Sequence, residues 1–139
     1  MRFEHARLPT RRYVEPGDAL TVRIGFETDA PVDDPVFTLM IYDAEGNYVH
    51  GSSTASESVV TGHVDGPGEV AFEFPQLALP EGEYSITLCV TSSDGSVIYD
   101  WHEQRHHFEV RDPQRAVAPL ELPIRITIDK GSVRHPAAS

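Results

Sequence analysis

Cysteine is almost absent from this chain: its 139 residues hold one, Cys89, so no internal disulfide can form. A chain of this size without such staples relies on its hydrophobic core, and the reducing cytoplasm is the expected compartment. Basic charge is also scarce. Eleven Lys plus Arg stand against 22 Asp plus Glu, a formal net charge of −11. A surface of that sign repels phosphate backbones and anionic headgroups, which excludes nucleic acid as a natural partner. No apolar run is long enough to span a bilayer, and the N-terminal RFEHARLPTRRY lacks the apolar segment of a secretion signal. Direct membrane insertion is not expected, so membrane association would come through a partner.

The usual signatures of chemistry are missing too. There is no strained Gly-x-Ser-x-Gly elbow, no Cys–His arrangement, no Walker loop and no dinucleotide fingerprint. Carboxylate pairs in the loops follow from an acidic composition alone. His102, His106 and His107 lie close together, but on a strand His106 and His107 point to opposite faces and cannot share one ion. The chain is therefore read as no enzyme, with no metal and no cofactor.

What the sequence does have is short strands joined by turns. Leu79–Val110 is the clearest case: LPEGEY launches a strand, Asp94-Gly95 turns it, and VIYDW returns to close on HHFEV. Tyr84, Ile86, Leu88 and Val90 fall on one face, with Ser85, Thr87, Cys89 and Thr91 on the other. Leu20, Val22, Ile24 and Phe26 alternate in the same way, as do Phe37, Leu39 and Ile41 and then Val70, Phe72 and Phe74. Asp43–Asn47 is a hairpin turn after which Tyr48-Val49-His50 pairs back. Residues 1–14 predict a short edge strand ending at the Glu15–Asp18 turn. Ser52–Gly68 reads as a long surface connection, and Pro75–Pro80 as a crossing between sheets.

The predicted fold is all-β: an immunoglobulin-like antiparallel β-sandwich of about seven to nine strands, without the Cys–Trp–Cys pattern of true immunoglobulins. Residues 1–110 form the sandwich and 111–119 a linker. Residues 120–128 add a C-terminal strand, since Leu120, Leu122, Ile124, Ile126 and Ile128 alternate with polar positions. Pro123 restricts that strand to an edge or to an outward-pointing amide. It can dock on its own domain or exchange onto another copy. Residues 129–139 carry no structural signal and are expected to be disordered.

On this alignment one outward sheet face is mixed and not simply charged. It carries Thr38, Met40 and Tyr42 beside Ser85, Thr87, Cys89 and Thr91, flanked by Arg105, His107 and Glu109. Ring, hydroxyls and guanidinium together suit stacking on sugars and hydrogen bonding to their hydroxyls. A covering chain or tail would suit Met40 and Cys89 equally well. Val97, Tyr99 and Trp101 share a face that reads more readily as core than as a sugar platform, while Tyr48 and His50 are candidates for a rim contact.

The order of the motifs PGDALTVRIGFETDAPVDDPVFTLMIYDAEGNYVHGSST and GPGEVAFEFPQLALPEGEYSITLCVTSSDGSVIYDWHEQRHHFEV resembles the C-terminal carbohydrate-binding domain of Wzt-type proteins. These are the ATP-binding subunits of ABC exporters for O-antigen polysaccharide, and the likeness runs from about Glu15 to Val110. The resemblance implies a non-catalytic domain that recognises the capped non-reducing end of a lipid-linked glycan before export. It also implies a homodimer with exchange of a C-terminal strand. ATPase and transmembrane subunits would be partners, at the cytoplasmic face of the inner membrane. The chain would then be an excised domain or a free-standing relative. The expected sugar contacts are Tyr42 by stacking and Thr87, Arg105 and His107 by hydrogen bonds, with Thr38 and Met40 beside them. A phosphate-like cap would need Arg105 or Arg23 in the pocket. The alternative function is a protein-interaction or inhibitor-like sandwich without glycan binding.

Overall fold

Alternating large apolar and polar residues make strands with one buried face, and that rule places most of the chain. In the computed structural model, which describes residues 1–8, 13–112 and 122–130, there are ten strands. They are β1 (Arg2–Arg7), β2 (Leu20–Glu27), β3 (Val32–Asp33), β4 (Val36–Tyr42), β5 (Tyr48–Ser53), β6 (His63–Val64), β7 (Gly68–Phe74), β8 (Gly82–Thr91), β9 (Ile98–Val110) and β10 (Arg125–Asp129). One sheet has the order β1-β2-β7-β10, the other β5-β4-β8-β9, and β3 pairs with β6 in a short ribbon. These pairings are antiparallel. No helix among the described residues is long and apolar enough to cross a membrane.

The inner faces meet as the alternation predicts. In the first sheet Val22 and Ile126 flank Phe72; in the second Leu39 opposes Leu88 and Ile41 opposes Ile86. All are buried. Phe26 and Phe37 tie the sheets together, their ring centroids 5.2 Å apart. Each such side chain contributes about 1.5–3 kcal/mol by leaving water. Pro75–Pro80 does cross between the sheets. Its Leu77 is fully buried, and its N–H donates to the Asp18 carbonyl at 2.8 Å. The Tyr84 hydroxyl donates to the Pro80 carbonyl at 2.6 Å and fixes the start of β8, the device that closes corners in related sandwiches.

The structure departs from the sequence reading at several points. The ten strands exceed seven to nine because two-residue pieces, β3 and β6, occupy segments that read as loops. Ser52–Gly68 is no free connection: the Thr61 hydroxyl donates to the Pro35 carbonyl at 2.7 Å, and Thr54, Thr61 and Val64 are buried. Backbone hydrogen bonding buries these polar residues, which hydropathy does not reveal. β10 begins only at Arg125, so Pro123 precedes the ladder and breaks none of it; the strand pairs with this chain's own β7 at the sheet edge. Residues 113–121 and 131–139, which hold most of the predicted linker and tail and the start of the predicted C-terminal strand, lie outside the described residues. Finally, Trp101 is not core. Thr91 pairs with Ile98 but Val90 with Asp100, so one extra residue, Tyr99, interrupts β9. A one-residue bulge flips the faces counted across it. Tyr99 packs against the core while Trp101, opposite Cys89, lies outside.

The edge strands of the second sheet turn polar rings inward. His50 of β5 meets Phe74 edge-on at 5.9 Å and shares a 2.7 Å hydrogen bond with Ser52, facing the core instead of the rim. On β9, His102 packs edge-on against Phe3 at 5.2 Å, and Asp100 accepts the Phe3 N–H at 2.7 Å. The His106 ring lies 5.9 Å from that of His102, with Nε2 buried and without a hydrogen-bond partner. Burial lowers the pKa of His50 and of His106 from the ordinary 6.5; His102, Arg105 and His107 lower that of His106 further, whereas Glu57 opposes the shift at His50.

Two predictions follow from this packing. Phe72→Ala, which empties a position between two strands, should lose about 3–5 kcal/mol of stability in urea denaturation, the range for a buried phenylalanine. The histidines set a pH dependence. Their folded pKa lies below the unfolded one, so the unfolded chain binds more protons in this window. Stability is then complete above about pH 6.5 and falls as pH drops below it. The urea midpoint should be lower at about pH 5.5 than at about pH 7.5, and His106→Leu should narrow the gap. An unchanged midpoint would refute a buried neutral imidazole.

Candidate functional site

The outward faces of the two sheets differ in chemistry. On the first sheet Arg7 and Arg23 both reach Glu69, at 2.6 and 3.4 Å, and Arg125 reaches Glu73 at 3.4 Å. Cross-strand ion pairs of this kind make a solvated face of little energetic consequence. The outward face of the second sheet presents aromatic rings, hydroxyls, a thioether and amides; its arginine ion pair among the described residues, Arg111–Glu109, stands at the end of β9, while His102 and Asp100, 3.4 Å apart, face inward.

Alternation places Thr38, Met40 and Tyr42 of β4 beside Ser85, Thr87 and Cys89 of β8. Tyr42 opposes Tyr48 of β5, the two rings meeting edge-on at 6.1 Å, and the Tyr42 hydroxyl donates to Met40 Sδ at 3.6 Å. Tyr48 is 62% exposed. Its ring tip lies where a side chain at Gly51 would stand, so the glycine makes room for the aromatic corner. Thr38 and Cys89 share a hydrogen bond; burial pushes the Cys89 thiol above its ordinary pKa, and the Thr38 bond opposes the shift.

The β9 side is shaped by a second bulge. Ile86 pairs with His106 and Leu88 with His102, so residues 103–105 all stand opposite Thr87. Gln104 takes a φ of 50°, uncommon outside glycine, and its N–H donates to Thr87 Oγ1 at 2.9 Å. Thr87 is 0% exposed. Its hydroxyl holds the bulge and is not part of the open surface, where the sequence reading expected it. His107, three residues beyond Gln104 at the bulge's centre, points outward opposite Ser85, while His106 points inward opposite Ile86. Among the described residues no group of three His, Cys, Asp or Glu is placed to hold a metal ion.

Between the β4–β5 turn and the bulge lies an open depression of about 340 Å³, lined by Asp43, Ala44, Glu83, Ser85, Gln104 and His107. Asp43 is tied into its turn by the Glu45 and Asn47 N–H groups at 3.0 and 2.8 Å. Arg105 is exposed and has no ion pair among the described residues, whereas Arg23 lies on the other sheet's outer face with Glu69. Of the residues expected at the site, Tyr42, Met40 and Thr38 line one face with His107 of β9; Arg105 belongs to the bulge beside it. Gln104, Glu83 and the Asp43–Gly46 turn were missed. The turn itself was legible, but its position over β8 and β9 depends on the pairing.

The family model described as the Wzt C-terminal domain matches residues 2–121. The O-antigen export system ATP-binding protein RfbB of Myxococcus xanthus is 30% identical over 90 residues, 65% of this chain and 21% of that protein. The match thus spans about a fifth of that relative's length. The fold is shared with the crystal structure of the C-terminal domain of wzt, at a TM-score of 0.61 and 13% identity, covering 95% of this chain and 79% of that one.

Proposed function

This chain belongs to the Wzt C-terminal domain family, and from that premise we propose that it binds the sugars of an O-antigen-type polysaccharide without cleaving them. The site is the outward face of the β5-β4-β8-β9 sheet. The observation that supports this most is the contrast between the outer faces: one is laced with ion pairs, the other offers rings and hydroxyls with hardly any. Neutral sugars present CH faces to rings and hydroxyls to fixed donors and acceptors.

In this reading Tyr42 and Tyr48 form the stacking corner over one sugar ring. Ser85, His107 and the Gln104 side chain hydrogen-bond its hydroxyls, and Thr38 and Met40 extend the floor. Arg105 is the cation that could meet an anionic cap at the non-reducing end. Thr87 acts through Gln104 by holding the bulge. Affinity is weak, in the micromolar to millimolar range, because exposed sites exchange water hydrogen bonds for protein ones at little net gain. The relative's name places its protein in O-antigen export. By extension, this domain would act as a homodimer with ATPase and transmembrane subunits, on the cytoplasmic face of the inner membrane.

The test is an NMR titration with the encoding organism's O-polysaccharide, released from its lipid. Backbone amides of residues 38–42, 85–89 and 103–107 should shift, while those of the ion-paired face stay still; unshifted amides throughout the former set would overturn the proposal. Gly51→Ala offers a second check. The added methyl displaces the mobile tip of Tyr48 and should weaken sugar binding several-fold, with a stability change within about 0.5 kcal/mol.

A further inference from the structure

Trp101 is 40% exposed on an outward sheet face, an unusual place for the largest apolar side chain. Building on the sugar-binding reading above, we infer that Trp101 forms a second stacking subsite, so that the face holds a run of several sugar rings instead of the terminal unit alone.

The register fixes where Trp101 stands relative to the Tyr42 corner. Tyr42 opposes Ser85 on β8, and Trp101 opposes Cys89, four residues further along the same strand. Four residues of strand advance roughly 13 Å, and crossing from β4 to β9 adds two strand spacings of roughly 5 Å each, a diagonal of roughly 16 Å. That is too far for one monosaccharide to touch both ends, and it is suited to a short oligosaccharide lying across the strands. Between them lie Met40, the buried Thr87 and the Gln104 bulge.

The indole is held for such a role. Its Nε1–H donates to Glu103 at 3.3 Å, which restrains the ring while leaving its π-surface free. Thr38 lies beside it, across Cys89, and supplies a hydroxyl. The stretch is continuous with the Tyr42 corner on one sheet face, and among the described residues no arginine or lysine ion pair lies between the two. A tryptophan with its polar edge engaged and its face open matches the CH surface of a pyranose. The occupant is thus an internal stretch of the polysaccharide whose end sits at Tyr42 and Tyr48.

Trp101 is the only tryptophan in the chain, so its fluorescence reports on this place alone. The probes are the lipid-free O-polysaccharide at full length and its shortest mild-acid fragment, titrated with emission and amide shifts read in parallel. Full-length polysaccharide should change Trp101 emission and shift the amides of Tyr42, Ser85 and His107, whereas the shortest fragment should shift only the amides. Trp101→Ala should weaken binding of the full-length chain about tenfold and leave the fragment unaffected, with Trp101→Phe recovering most of the loss. Amide shifts with unchanged emission, together with wild-type affinity in Trp101→Ala, would overturn the subsite and leave the sugar reading standing. If neither amides nor emission respond, the sugar reading itself falls, and the subsite with it.

Discussion

One hydrogen bond, from the Gln104 N–H to the buried Thr87 hydroxyl, sets the register on which the candidate site depends. Three residues of β9 bulge out opposite Thr87 where one would do, so two are extra. An even insertion preserves the alternation of faces: Trp101 and His107 stay outside on either side of the bulge, and His102 and His106 stay inside. Held this way, Gln104 tolerates a left-handed φ whose cost is on the order of 1–3 kcal/mol. Without an acceptor its amide would be a partly buried donor with nowhere to go, a loss of similar size. The bulge, and with it the wall of the depression, is therefore maintained by a side chain that is itself buried.

The two outer faces of this acidic chain differ in how their charge is arranged, and the proposed recognition falls to the one with fewer ion pairs. Arg7, Arg23 and Arg125 lie on the first sheet opposite Glu69 and Glu73, where exposed pairs add little stability but keep the face hydrated. That arrangement draws cations away from the second sheet. Beside Arg105 and the carboxylates of Asp43 and Glu83, what is left there are groups that desolvate cheaply: phenol rings, a thioether, hydroxyls with partners inside the sheet and a histidine. A weakly binding sugar site needs such a face, because each group that must shed bound water before contact subtracts from a small net gain.

Much of the fold was legible because β2, β4, β7 and the first strand of the long hairpin alternate without interruption, and a buried face leaves that imprint on a sequence. The placing of Thr38, Met40 and Tyr42 together follows from the same rule. The rest was hidden for physical reasons. Tyr99 and the residues around Gln104 are bulges, and nothing in YDWHEQRHH marks where a ladder slips, so Trp101 read as core and Thr87 as open. Thr54 and Thr61 are buried by backbone hydrogen bonds, which composition records only as polarity. Glu83 and the Asp43–Gly46 turn join the site through pairing between distant strands, and no local pattern announces that.

The edges of the sandwich bear on how such a domain assembles. A free edge is where another strand can add, and the first sheet ends in β1 and β10, the latter held to β7 over five paired residues. Both edges belong to the sheet whose outer face is ion-paired, separated from the Tyr42 face by the thickness of the core, about 10 Å. Addition or exchange of a strand at either edge would extend the first sheet and leave the second uncovered. Two copies joined there would each keep an open face. A long polymer could then engage both, and even millimolar single-site contacts would combine through effective concentration into useful avidity. The proposed weak recognition per face and the proposed assembly through the opposite sheet are thus mutually consistent.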